Sequence, residues 1–511
     1  MAFKKLVVGA AALFFFLQAG RAVASVSNVY ISQSGGGNGS SCSSPLAVSY
    51  FNTAGNWTSG TPTGTQIGPG TTVHLCGTFT SALTAQGSGA SGSPITIFFE
   101  SGAKISMGSC GSTGCINIAS LSYVTIDGGA NGIIEATNSG TGLGSSDSIG
   151  VYGRSGISHC EIKNLTINNL YVHTGASDNA AGNYYAIWLD GTNNLVHNNT
   201  IKDALAGIKV EAPSSGNSFY DNVIHNINWG IFESGSASVN SITNEKIYGN
   251  EVYDFANWDT TADTFHHDGL FLSGSSATTD LTHVDVYSNY VHGTSSSAVT
   301  CASASGSCLT AYIYINTDSN VRVFNNLLVA NSGDTGPNNG WILMYADASD
   351  SLYNNTVIGG TVSGNSNCAV LDSGISFSFE NNVLSNCNNL LWSNSATFAT
   401  INYNVYQSSA LSWRIGSSWY STLAAWKSAV GGDASAQATT GSLNLDANFK
   451  PFSTSLAVGT GANLTSLGVT ALDSDKSGIA RPTSGTWDAG AYQVASTSAV
   501  NPPTALTAQA Y

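Results

Sequence analysis

Residues 351–359 read SLYNNTVIG, two short alternating runs joined by a pair of asparagines, and the same pattern returns along the chain. It appears as LVHNNTIKD (195–203), SFYDNVIHN (218–226), KIYGNEVYD (246–254), DVYSNYVHG (285–293), RVFNNLLVA (322–330) and SFENNVLSN (378–386), with INYNVYQ (401–407) as a weaker eighth copy. One asparagine recurs in every copy: Asn199, Asn222, Asn250, Asn289, Asn326, Asn355, Asn382 and Asn404. In all but the last, an aliphatic residue stands two positions after it. Recurrence at about 20–50 residues is the mark of a solenoid.

Between the copies lie second short runs: AIWLDG (186–191), GIKVEA (207–212), GIFESG (230–235), GLFLSG (269–274), AYIYIN (311–316) and WILMYA (341–346). They alternate with period two and are rich in β-branched and aromatic residues, so they read as strands; helical spacing is absent here. Two or three strands per repeat, joined by Gly, Asn and Ser turns, describe one coil of a parallel β-helix. Each strand then pairs with its equivalent about 4.8 Å along the axis. An inward asparagine at a turn bonds its amide to the asparagine of the next coil, so these residues read as scaffold. The fold class expected is all-β, a single parallel β-helix of about ten to twelve coils.

The stretches NVYISQSGGGNGSSCSSP (28–45) and IGPGTTVHLCGTF (67–79) resemble the N-terminal entry, and SDKSGIARPTSGTWDAGAYQ (474–493) resembles the C-terminal signature, of right-handed parallel β-helix proteins of the pectin lyase-like superfamily. The resemblance runs from about Val29 to Gln493 and implies a right-handed solenoid. Open ends of such a solenoid expose unpaired strand edges and need N- and C-terminal caps. The one segment with helical character, SWYSTLAAWKSAVG (418–431), is placed to lie across the last coil. The organisation expected is an N-terminal cap and first coils over 25–110, repeats over 111–410, and C-terminal coils and cap over 411–495. Residues 496–511 follow as a linker or tail.

Charged residues are only 9% of the chain, against roughly 25% in ordinary soluble domains, and the net charge is −15 with fifteen Lys plus Arg. No basic stripe is available to neutralise a phosphate backbone, so nucleic acid is not an expected partner. The opening MAFKKLVVGAAALFFFLQAGRAVAS has two lysines, an apolar run and a small-x-small site, and residues 1–24 read as a secretory signal peptide. The run is shorter than the ~20 apolar residues that span a bilayer, so no membrane span is expected and the mature chain is placed outside the cell. The nine cysteines fit an oxidising compartment. Local bridges are expected for Cys42 with Cys76, Cys110 with Cys115, Cys301 with Cys308 and Cys368 with Cys387, leaving Cys160 as a buried thiol. A monomer is expected.

Chemistry concentrates in DTFHHDGLFLSG (263–274), read as a loop entering the strand Gly269 to Leu272. Its adjacent histidines are flanked by Asp263 and Asp268, with Asp259 shortly before. On a loop such residues also serve turn chemistry. Taking Ile187, Ile208, Ile231, Leu270 and Ile313 as inward, the outward neighbours are Trp188, Lys209, Phe232, Phe271 and Tyr314, an aromatic strip interrupted by one lysine. Asp190 and Glu211 stand two outward positions further on. The strip reads either as a platform for sugar rings or as an aromatic ladder buried beneath a loop.

The expected function is action on an extracellular polysaccharide by a lyase or a glycoside hydrolase. Asp268, His267, His266 and Lys209 are the candidate catalytic groups, the strip with Asp190 and Glu211 the substrate contacts, and Asp263, Asp259 and Glu233 oxygen ligands for calcium. HHDGLFLSG also resembles the strand-entry motif of polygalacturonases, with Asp268 matching a catalytic aspartate but Phe271 standing where the next acid belongs. The alternative is a glycan-binding or adhesin-like surface protein, which needs the strip and no proton-transfer group.

Overall fold

A computed structural model describes residues 27–138, 147–171, 182–235, 241–255, 267–275, 280–293, 309–331, 340–345, 347–360 and 367–494. Its strands form one continuous sheet in which almost every pairing is parallel and in register with the equivalent strand one coil away. The sheet winds into a right-handed parallel β-helix, the hand that parallel crossovers take. Three walls run its length. The first stacks Tyr185–Thr192, the middle of Thr200–Ser215, Val223–Ser234, His267–Ser273, Leu309–Asn316 and Gly340–Tyr345. The second stacks Leu195–His197, Ser218–Tyr220, Lys246–Tyr248, Asp285–Tyr287, Arg322–Phe324 and Ser351–Tyr353. The third continues through Glu251–Phe255, Tyr290–His292, Leu327–Val329 and Thr356–Ile358.

The repeated asparagine turns the chain from the second wall to the third. The carbonyl oxygen of each amide accepts the backbone N–H and one side-chain N–H of the asparagine in the preceding coil, at 3.0–3.1 Å for the pair Asn250 and Asn289. The same geometry joins Asn199 through Asn222 to Asn250, and Asn289 through Asn326, Asn355 and Asn382 to Asn404. The other amide hydrogen goes to a strand carbonyl, as from Asn289 to Ile247 at 2.9 Å. Donors and acceptors are thereby matched in the dry interior.

The residue just before each ladder asparagine takes the left-handed conformation, with φ of 55° at Asn198 and Asn325, 52° at Asn354 and 60° at Asn381. Asparagine tolerates that region better than most residues, which accounts for the first asparagine of the pairs. Those amides serve the C-terminal segment. Asn325 donates to the Ser474 carbonyl at 2.8 Å, Asn354 to that of Asp488 at 3.0 Å and Asn381 to that of Ala462 at 2.9 Å. Trp487 is buried there against Phe324, Tyr353 and Leu472. The segment resembling the C-terminal signature therefore runs back along the outside of the coils.

The end of the core is closed by the helix Leu423–Val430, where Trp426 stacks on Trp413. Ser418–Tyr420, expected as part of that helix, instead forms a strand antiparallel to Trp413–Ile415. Asp433 ends the ladder by accepting from Asn404, Tyr406 and Trp426, an acceptor-only group that needs no acceptor of its own. Bridges join Cys42 to Cys76, Cys110 to Cys115 and Cys368 to Cys387, and Cys160 is a buried thiol. Cys301 and Cys308 lie outside the described residues. No described helix is long and apolar enough to cross a membrane.

Asn289→Ala strips the acceptor from both Asn250 donors and the donor from the Ile247 carbonyl. At about 1–3 kcal/mol per stranded buried group, denaturant unfolding should show a loss of roughly 3 kcal/mol or more. Asn198→Gly, at an outward left-handed position, should cost far less; equal losses would contradict the ladder's role.

Candidate functional site

Alternation on the first wall puts Ile187, Ile208, Ile231, Leu270 and Ile313 in the core and turns their neighbours outward. The registers Tyr152 to Trp188, Trp188 to Lys209, Lys209 to Phe232, Phe232 to Phe271 and Phe271 to Tyr314 align those neighbours in one column. Phe232 stacks on Phe271 with centroids 4.8 Å apart, and Phe271 on Tyr314 at 5.0 Å. The lysine of the column is held by its neighbours. Its Nζ lies 3.3 Å from the Phe232 ring centroid and 3.9 Å from Glu211 Oε1.

Lys209 is 4% exposed. Burial pushes its amine down from 10.5 to about 7; Glu211 opposes that shift and Arg154 adds to it. Arg154 is the residue that the sequence reading missed. It donates from Nε to Asp190 at 2.9 Å and from Nη1 to Glu211 at 2.6 Å, and its guanidinium lies 4.5 Å over the Trp188 ring. Asp190 also accepts from the backbone N–H of Ser155 and Gly156. Both substrate-contact carboxylates are thus already paired with one cation. Arg154 is signalled by VYGRSGIS (151–158), where it stands two residues past Tyr152 in the strand that pairs with the Trp188 strand. Solvent reaches this network at Arg154 and Glu211, whose side chains are 22% and 30% exposed.

The strand bearing Asp268 begins earlier than expected. His267–Ser273 is β-structure throughout, so His267 and Asp268 are strand residues, both fully buried, rather than members of an entry loop. The reason is register: Asp268 pairs between Trp229 and Ala311, and its Oδ1 accepts the Ala311 N–H at 2.9 Å. Asp268 adds to the burial that pushes the Tyr314 hydroxyl upward. It is in register with Trp229 and Ala206, so it stands two coils along from Lys209 and three residues back along the strand, about 14 Å away by strand geometry.

Glu233 belongs elsewhere. It pairs with Val210 and Leu272, both core residues, and is itself wholly buried, so strict alternation turns it inside the solenoid. Its neighbour there is Glu245, whose Oε1 accepts from Ser214 at 2.9 Å and Asn217 at 2.8 Å. Asp259, Asp263 and His266 lie outside the described residues. Of the expected calcium ligands only Glu233 is among the described residues, and it faces the interior.

Burial raises both interior glutamates, Glu245 to about 8 from 4.5. A raised carboxyl contributes its stability below the ordinary value and loses it as pH climbs through the folded one. Glu245→Gln should therefore melt higher than the parent at pH 8 and nearly match it at pH 4, and thermal scans across that window that run parallel would contradict the assignment.

No family profile matches the sequence, and no curated protein matches it. Among solved structures the chain is similar to the pectate lyase Pel9A, at 13% identity over 92% of this chain and 98% of that one with a TM-score of 0.42. It is similar to XylC in complex with xylose, at 10% identity over 91% and 98% with a TM-score of 0.45. It is also similar to DFA-IIIase from Arthrobacter chlorophenolicus A6, at 10% identity over 69% and 86% with a TM-score of 0.39. The chain is a right-handed parallel β-helix protein, the architecture that its resemblance to the pectin lyase-like superfamily implies.

Proposed function

We propose that the chain is a secreted lyase of acidic polysaccharides, working on the outer face of the first wall with Lys209 as general base. The observation that carries this reading is the buried Lys209 amine, brought to about 7 between Trp188 and Phe232. An amine near that value is half neutral at physiological pH and fitted to accept a proton. A uronate offers an acidic proton on the carbon next to its carboxylate. Lys209 takes that proton, the electron pair closes a carbon–carbon double bond, and the bond to the neighbouring sugar's oxygen breaks, that oxygen being protonated from solvent.

Arg154 stands beside Lys209 and supplies the positive charge for the uronate carboxylate, exchanging part of its pairing with Asp190 and Glu211 for the substrate. Trp188, Phe232 and Tyr314 are half-buried and present aromatic surface for adjoining rings, with Phe271 buried between the last two as their stacking support. A hydrolase would need one carboxyl kept protonated and another free to act, whereas Asp190 and Glu211 are both paired with Arg154. Three disulfides in the described residues agree with an extracellular setting.

The test is a panel of acidic and neutral polysaccharides followed by ultraviolet absorbance and by reducing ends. Both should rise together on a uronate polymer, with turnover increasing through about pH 7 as Lys209 loses its proton. Lys209→Met and Lys209→Arg should each lower turnover by about 10² or more with little change in KM; Phe232→Ala should act chiefly on KM. Reducing ends without ultraviolet absorbance would establish a hydrolase instead, and retardation on a glycan gel without any product would establish a binder.

A further inference from the structure

At the corner between the first and second walls, two side chains per coil point inward; one coil fills both with Leu281 and Val284, while earlier coils place Ser214, Asn217 and Glu245 there, hydrogen-bonded to one another. Two later coils place three aspartates there instead. The register Thr282 to Ser319 to Ala348 puts Asp318 and Asp347 in the column of Leu281, and the register Arg322 to Ser351 puts Asp350 in the column of Val321. All three aspartates are buried, at 0%, 2% and 0% exposure, and one oxygen of each lies within 4.8 Å of the others.

One of the six oxygens has a partner: Asp350 Oδ1 accepts the Val321 N–H at 2.7 Å, the bond that Asn217 makes to Asn194 in an earlier coil. The remaining five, both of Asp318, both of Asp347 and the second of Asp350, make no hydrogen bond of normal geometry, with only the Thr317 and Asp318 backbone near Asp347 and Asp318. No lysine, arginine or histidine pairs with them among the described residues. A buried carboxylate without a donor is among the most costly groups to place in a core, and three together also repel. Oxygens that share a calcium ion at 2.3–2.6 Å stand at most about 5 Å apart, which the 4.8 Å span satisfies. An all-oxygen set selects a hard cation over zinc or copper.

We propose that Asp318, Asp347 and Asp350 hold a calcium ion inside the solenoid, tying two successive coils together on the inner side of the wall. This site is separate from the outer strip and does not depend on the lyase reading. A cation there neutralises charge that apolar neighbours leave unscreened, and it places the clamp just past Tyr314, where the first wall turns into the second.

The full chain, purified and dialysed into metal-free buffer, should retain about one calcium per molecule by elemental mass spectrometry. Refolding in the presence of a chelator should lower the melting temperature by about 5 °C or more, and added calcium should restore it. Asp347→Asn should lose the ion and the calcium response together, while Glu233→Gln, altering a different interior carboxyl, should keep both. If Asp347→Asn does not fold, the metal content and chelator response of the unmodified chain still decide. Folded protein that carries no stoichiometric metal and melts alike with chelator and with millimolar calcium would overturn the proposal, as would stoichiometric zinc.

Discussion

A buried primary amide must find two acceptors and a donor in every coil, and that requirement organises the solenoid. Asn289 meets it only because Asn250 and Asn326 sit directly below and above it. A shift of one residue in any coil would leave a row of stranded donors and also turn the strand's apolar side chains to solvent. The ladder therefore locks the register of the second and third walls. With register held, the preceding residue is driven into the left-handed region and its side chain outward. Where that residue is asparagine, as at 325, 354 and 381, the freed amide anchors the returning C-terminal segment.

The same alternation sorts the few charges of this chain. Lys209 and Glu233 occupy runs of identical pattern, one coil apart, yet Lys209 stands one position from Ile208 and faces out, while Glu233 stands two from Ile231 and faces in. On the outer side, burial against aromatic rings lowers an amine toward neutrality. On the inner side, burial raises carboxyls, as at Glu245, and at Asp318, Asp347 and Asp350. Low dielectric acts on both, and the sign of the effect follows from which charged form is disfavoured.

The fold was legible because a parallel solenoid repeats its hydrogen-bond requirements at each coil, so one turn residue and one inward aliphatic recur whatever the loops do. The aromatic column was legible from the same alternation, down to its members from Trp188 to Tyr314. Arg154 was not, since the strand carrying it lies before the asparagine repeats and offers no pattern to align. Nor was the true start of the Asp268 strand, because His267 and Asp268 look like loop residues until Trp229 and Ala311 flank them.

Sequence alone determined the repeat and the inward and outward faces of each strand, since these depend on period two; the pairs Cys42 with Cys76, Cys110 with Cys115 and Cys368 with Cys387 were expected from it and are joined by the coils that bring them together. Only the tertiary structure decided which charges meet. Arg154 reaches Asp190 and Glu211, Glu233 reaches Glu245, and Asp318 reaches Asp347 and Asp350 across coils. Loops of unequal length separate coils in sequence while the 4.8 Å strand spacing keeps them adjacent in space, so proximity between coils is set by the stacking and not by any spacing along the chain.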